Sequence, residues 1–222
     1  MLRLFFKIIK WFFIVLFFLL ILVTLVFYRK DIPLSDLEDI YVLESSNFYD
    51  ASITTSDGQI ETIRLHYMDI GDSNDPVIVL LHGMFASSHT FLPWADMLDD
   101  DGFRVILVDL PFHGLTHGFS DHKTSLKRSS DALYELLVHL NIQTLMIGGN
   151  SMGGGVSMVF ANHYKDVMNI SHLVLIDSVD PQSSQTRSLP YILTVDFLAS
   201  FLSKMTPSFL IRYLLNGAYG SF

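Results

Sequence analysis

Gly149-Asn150-Ser151-Met152-Gly153 sets a serine between two glycines at the spacing G-x-S-x-G, and Gly154 and Gly155 follow directly. A short apolar run, Leu145-Met146-Ile147, precedes the motif, and a helix-length stretch, Met152 to Tyr164, follows it. A serine on a sharp strand-to-helix bend projects its hydroxyl above the sheet at the positive end of the new helix, which is the setting of an activated nucleophile. The glycines at 149 and 153 have a steric reason. Side chains two residues to either side of the serine would collide with each other or with the neighbouring strand. The chemistry expected is nucleophilic attack by Ser151 on an acyl carbon. The bland alternative is a glycine-rich turn with an incidental serine, and the flanking strand and helix weigh against it.

Such chemistry needs donors for the oxyanion that develops in the transition state. One is the Met152 N–H, which the bend aims at the same spot as the hydroxyl. The second is expected from Leu80-Leu81-His82-Gly83-Met84-Phe85, where a buried strand ends in a loop. Gly83 lets the backbone turn so that the Met84 N–H faces Ser151, with Phe85 as the fallback donor. His82 invites a general-base role, but at the end of a buried strand an imidazole more often organises the loop.

Other chemistries find little support. There are no cysteines, so thiolate metal sites, disulfides and a cysteine nucleophile are excluded. The nine histidines include no H-E-x-x-H motif, so no metal is expected, and no cofactor. The net charge of −9 and the lack of a basic stripe argue against nucleic acid as a partner.

The elements that must position these residues are legible as patterns. Val77 to Leu81, Val105 to Val108, Leu145 to Ile147 and Leu173 to Ile176 are continuous apolar runs, suited to strands buried on both faces of a parallel sheet. Phe91 to Asp99, Ser125 to Leu140 and Met152 to Tyr164 are helix-length stretches between them. Phe48 to Thr54 and Ile60 to Met68 alternate around a Ser56-Asp57-Gly58 turn and predict an antiparallel hairpin. Strand and helix in alternation predict an α/β, doubly wound, mostly parallel sheet.

Before all of this, Trp11 to Tyr28 runs eighteen residues without a charge or a proline. About 20 apolar residues span a bilayer core. A signal peptide would have a shorter apolar region and a small-residue cleavage site, and no alanine occurs before Ala51. A core helix would show polar positions on one face. The expectation is an anchor that meets the lipid bilayer through residues 11–28. Arg3, Lys7 and Lys10 precede it and only Arg29 and Lys30 follow closely, which places the N-terminus in the cytoplasm and exports the globular part. The expected organisation is a transmembrane anchor over 1–30, a linker over 31–45, the N-terminal part of an α/β core over 46–180 and the start of a helical cap over 181–222.

Three segments in order, HGMF at 82–85, DLPFHGLT at 109–116 and GNSMGG at 149–154, resemble the α/β-hydrolase superfamily, in particular its esterases, C–C hydrolases and lipase-like enzymes with a cap domain. The resemblance covers roughly residues 48 to 215. It implies a Ser-His-Asp mechanism on an ester, amide, thioester or C–C substrate, with oxyanion donors at Met84 and Met152, and structural roles for Asp109 and His113. The apolar residues of the expected cap point to a small hydrophobic acyl substrate. This sequence departs from the pattern after Ser151, where only His163 and His172 remain as histidines. The first ends the helix that begins at the serine and the second begins the next strand at the far edge. Asp177 ends that strand on the active-site side, either as the acid or as a loop residue. With the last strands, the usual acid and the histidine missing, the expectation is a fragment, a truncated frame or a degenerate copy with little turnover. The competing expectation is an inactive hydrolase scaffold that binds a partner.

Overall fold

In the computed structural model of the protein, the described residues are 2–55, 57–181, 204, 206–207 and 209–213. The chain divides into two units, Met1–Pro33 with Arg187–Phe222, and Leu34–Thr186. The helical cap expected over 181–222 lies almost wholly outside the described residues.

In the first unit α1 runs from Leu2 to Phe27. Its stretch Arg3–Phe27 is long and apolar enough to cross a membrane, and none of it is buried within the protein.

The second unit opens with α2 (Leu34–Tyr41), an eight-residue helix inside the stretch expected as linker. A mixed sheet follows. Its strands are β1 (Ser46–Thr54), β2 (Ile60–Ile70), β3 (Val77–Leu81), β4 (Arg104–Val108), β5 (Thr144–Asn150) and β6 (Asn169–Ile176). The spatial order is β1-β2-β4-β3-β5-β6. β1 and β2 form the expected hairpin, and β2 also pairs antiparallel with β4. The pairs β3–β4, β3–β5 and β5–β6 are all parallel. The order reverses at β3, so the loops after β3 and β5 leave the sheet side by side. In open α/β sheets that crevice is where ligands bind.

Helices cover both faces, as the continuous apolar runs require. Val79, Leu81, Ile106, Val108, Leu145 and Ile147 face one core, where Leu133, Leu136 and Leu137 of α4 (Leu126–His139) and Val156 and Phe160 of α5 (Met152–Tyr164) meet them. Leu80, Val105 and Leu107 point the other way, against Ala95 of α3 (Leu92–Asp100) and Phe91. Alternate residues of one strand thus serve opposite layers, which is why these strands carry no polar phase.

The helix ends follow local rules. Ser125 caps α4, its hydroxyl accepting the Arg128 amide at 3.1 Å. At the other end Asn141 takes φ +56°, and the amides of Asn141 and Ile142 return to the carbonyls of Val138 and Leu137. α3 ends the same way at Gly102, φ +80°, with Gly102 and Phe103 bonding back to Asp99 and Leu98. Both are Schellman closures, and they turn the chain directly into β4 and β5.

Candidate active site

Asn150 ends β5 and Met152 begins α5, leaving Ser151 alone to make the bend. Ser151 adopts φ +50°, ψ −112° as the N-cap of α5, a conformation that L side chains rarely adopt. The surroundings impose it from two sides. Its N–H donates to the Ile176 carbonyl at 3.0 Å, and its own carbonyl accepts from Gly155 at 3.2 Å and Val179 at 3.0 Å. The Asn150 side-chain amide donates to the same Ile176 carbonyl at 3.2 Å. The residues after β6 therefore hold one flank of the bend.

The other flank is backbone against backbone. A Cβ added to Gly153 would lie 2.1 Å from the Leu81 carbonyl oxygen, and one added to Gly149 would lie 2.4 Å from the Gly153 carbonyl carbon. A Cβ at Gly154 would meet the Ser178 hydroxyl at 1.8 Å. Glycine at these positions is a packing requirement. The Ser151 side chain is partly exposed beside the end of β3. A Cβ at Gly83 would stand 3.4 Å from the Ser151 Cβ and 2.8 Å from Asn150 Oδ1, so the loop after β3 passes directly over the bend.

That loop begins with a hydrogen-bonded turn, Ala86 N–H to Gly83 O at 3.3 Å. Met84 occupies its second position, and Phe85 its third, at φ +61°. Glycine or asparagine usually fills a positive-φ turn position. Here a phenylalanine does, and both Met84 and Phe85 are exposed. Met152 stands at the first position of α5, where a helix amide has no intrahelical acceptor.

His82 and Asp109 organise the two loops. His82 is fully buried; its Nδ1 lies 2.7 Å from the Gly83 carbonyl and its Nε2 accepts the Leu110 amide at 3.0 Å. The proton therefore sits on Nδ1. Burial drives its pKa down to about 4, against smaller opposing effects from Gly83 and Asp109. With both nitrogens occupied and the ring kept neutral, His82 is a strut between the loops after β3 and β4. Asp109, at the end of β4, accepts the Ser88 amide at 2.6 Å on Oδ1 and the Leu115 amide at 2.8 Å on Oδ2. Burial alone would raise its pKa, but these amides and His66 more than offset that and hold it at about 2. His113 turns back on its own loop, Nδ1 to Pro111 O at 3.0 Å, with its ring 5.3 Å from that of His82.

His66 of β2 was not singled out in the sequence. It is buried, and it places Nδ1 2.8 Å from Asp109 Oδ2 and Nε2 2.9 Å from Ser46 Oγ. Its only sequence signal was a polar residue in the middle of an otherwise enclosed strand.

Neither downstream histidine approaches the bend. His163, in the last turn of α5, lies about 18 Å from Ser151 along the helix at ~1.5 Å per residue. His172 is inside β6, paired with Met146, which lies five residues before the serine. Asp177 follows β6 at φ +45° and is exposed. Among the described residues no imidazole is hydrogen-bonded to the Ser151 hydroxyl, and no cluster of metal-ligating side chains occurs. A cavity of about 230 Å³ lies at the carboxyl ends of β3 and β4, between Leu37 and Tyr41 of α2 and the Ser87, His89 and Asp109 region.

A mostly parallel sheet with helices on both faces and a serine held at a strained strand-to-helix bend defines an α/β-hydrolase fold. Residues 76–212, more than half of the chain, match the alpha/beta hydrolase fold family, and the chain belongs to it. The sn-1-specific diacylglycerol lipase ABHD11 of Mus musculus is 36% identical over 110 residues, 48% of this chain and 34% of that protein. The magnesium-chelatase 30 kDa subunit of Rhodobacter capsulatus is 35% identical over 94 residues, 42% of this chain and 33% of that protein. A probable hydrolytic enzyme from Pseudomonas aeruginosa PAO1 shares the fold, with a TM-score of 0.62 at 23% identity, over 80% of this chain and 55% of that one. The chain spans about a third of the length of the two curated relatives.

Proposed function

We propose that this protein is a membrane-anchored serine hydrolase acting on an ester or related acyl substrate with a hydrophobic acyl group. Ser151 is the nucleophile, and the amides of Met84 and Met152 receive the developing oxyanion. The observation that carries the reading is the backbone of Ser151, φ +50° and ψ −112°, strained at the start of α5 and directly beneath the Gly83 turn. Strain of that kind persists only where the surroundings over-determine it, and it clusters at functional sites. In the reaction the Ser151 hydroxyl gives its proton to a general base, which passes it to the leaving group, as the oxygen adds to the acyl carbon and the carbonyl oxygen takes up the charge. The leaving group then departs, and water releases the acyl group from the serine. The similarity to a diacylglycerol lipase supports a lipid-like ester. The anchor is α1, crossing the bilayer through residues 11–28 with its N-terminus in the cytoplasm.

A second reading is a catalytically inactive hydrolase scaffold that binds a partner. It is favoured by the lack of an imidazole on the Ser151 hydroxyl among the described residues, since a serine without its base loses nearly all the benefit of the triad.

A fluorophosphonate probe on the membrane-embedded full chain separates the two. Labelling that disappears in Ser151→Ala establishes a working nucleophile. A folded chain that takes no label selects the scaffold.

A further inference from the structure

Ile40, Tyr41, Val42 and Leu43 are four consecutive apolar residues exposed at 67%, 49%, 41% and 40%. They form the end of α2 and the turn into β1. An isolated exposed leucine needs no explanation, but a run of four does. The rest of α2 is accounted for. Leu34 and Leu37 are half-buried, and Glu38 pairs with Arg64 at 2.5 Å. The turn itself is fixed: the Leu43 amide donates to Ser46 Oγ at 3.0 Å, and the Ser46 amide to Leu43 O at 3.0 Å. These bonds fix the backbone at Leu43, and Tyr41 sets its ring edge-on to that of His89 with centroids 5.8 Å apart, leaving the rest of it exposed.

We propose that this patch is a second membrane contact, resting on the outer headgroup region of the same bilayer that α1 crosses. The proposal rests on the anchor reading above. Only Tyr28 to Pro33 lie between α1 and α2. Six residues reach at most about 20 Å even when fully extended, so an anchored chain carries α2 within that distance of the bilayer surface. A tyrosine amid aliphatic side chains is the composition of an interfacial segment, with the apolar parts below the headgroups and the hydroxyl among them. The flanking Asp36, Asp39 and Glu44 are exposed and carry negative charge, so the partner is a zwitterionic surface rather than an anionic one. Tyr41 also lines the 230 Å³ cavity. The surface that meets the lipid is thus continuous with a wall of that cavity.

The absence of cysteine makes the test direct, because a single introduced thiol is unique. The full chain is reconstituted in phosphatidylcholine nanodiscs with a bimane label at Ile40→Cys, Leu43→Cys, Leu20→Cys within α1, or Ile60→Cys, 78% exposed at the start of β2. Quenching by brominated phosphatidylcholine is then measured. The expected result is strong quenching at 20, and quenching at 40 and 43 at least twofold above that at 60. Quenching at 20 with 40 and 43 no different from 60 overturns the second contact and leaves the anchor standing. No quenching at 20 overturns the anchor and the contact with it. Exchanging half of the lipid for phosphatidylserine is expected to reduce quenching at 40 and 43 but not at 20. An increase there would contradict the zwitterionic preference.

Discussion

His66 Nδ1 lies 2.8 Å from Asp109 Oδ2, with both side chains shielded from solvent. This pair joins an antiparallel strand to the loops after β3 and β4. On the far side of the imidazole, Nε2 meets Ser46, whose hydroxyl receives the Leu43 amide. On the near side, Asp109 holds the amides of Ser88 and Leu115. An ionised carboxylate only accepts, so Nδ1 carries the proton of the shared bond. Every donor around Asp109 thus stabilises its charge.

Replacing Asp109 with Asn keeps the shape and removes the charge. Three donors aimed at a carboxylate then face a poorer acceptor, and the expected loss at pH 7 is about 3 kcal/mol. The acid's folded pKa, about 2, is below its ordinary 3.8. Its contribution is therefore complete above pH 4 and is lost as pH falls from there toward 2, by about 2 kcal/mol. Denaturant midpoints for the two proteins should converge across that window. A gap that stays constant would contradict the charge account.

His82 gives a second window with its own sign. The buried ring titrates near 4 against an ordinary 6.5. Between those values the unfolded chain binds a proton that the folded chain refuses. Stability therefore falls as pH drops from about 6.5 to 4, by up to about 3 kcal/mol. His82→Gln should flatten that slope. Ring nitrogen shifts should show His82 neutral and protonated on Nδ1 at pH 5.5.

Gly153→Ala is expected to be among the most damaging single-methyl additions in the protein. Its Cβ would lie 2.1 Å from backbone oxygen, which has no rotamer with which to move aside. A loss of about 3 kcal/mol or more is expected. Gly102→Ala is the matched control: φ is +80° but nothing lies within 4 Å, so only the left-handed conformation is penalised, by about 1 kcal/mol. Thermal unfolding of the pair separates crowding from backbone strain.

Ser151→Gly should move stability the other way. Glycine accepts φ +50° without strain, so a gain of about 1 kcal/mol is expected. The same change removes the only oxygen a fluorophosphonate could modify at this position. Calorimetry and labelling on one sample test both statements. A loss of stability would mean that the hydroxyl has an anchoring partner.

Much of this fold was legible because both faces of its central strands are enclosed. β3 is apolar throughout and β4 is apolar after Arg104, and those runs mark their limits within a residue. β6 was read too short, from Leu173, because Ser171 and His172 interrupt the run. At the border of the described sheet, where the side chains of β6 are largely exposed, such residues are tolerated. α2 is not legible because eight residues, half of them polar, carry barely two turns of periodicity. The bend at Ser151 was readable because strand, glycine spacing and helix are contiguous. The His66–Asp109 bond was not, because it joins residues 43 positions apart and follows from strand order rather than from local pattern.

The glycines around the bend crowd the main chain of β3 and the segment after β6. Two selective pressures therefore act within six adjacent positions, 149 to 154. Architecture alone preserves 149, 153 and 154, since any side chain there pushes the sheet apart whatever the protein is used for. On the proposed reading, use preserves the oxygen at 151, while the positive φ favours glycine there. Descendants released from chemistry would keep the frame of the motif and lose its centre first, so retention of Ser151 in a lineage is the more telling half of the pattern.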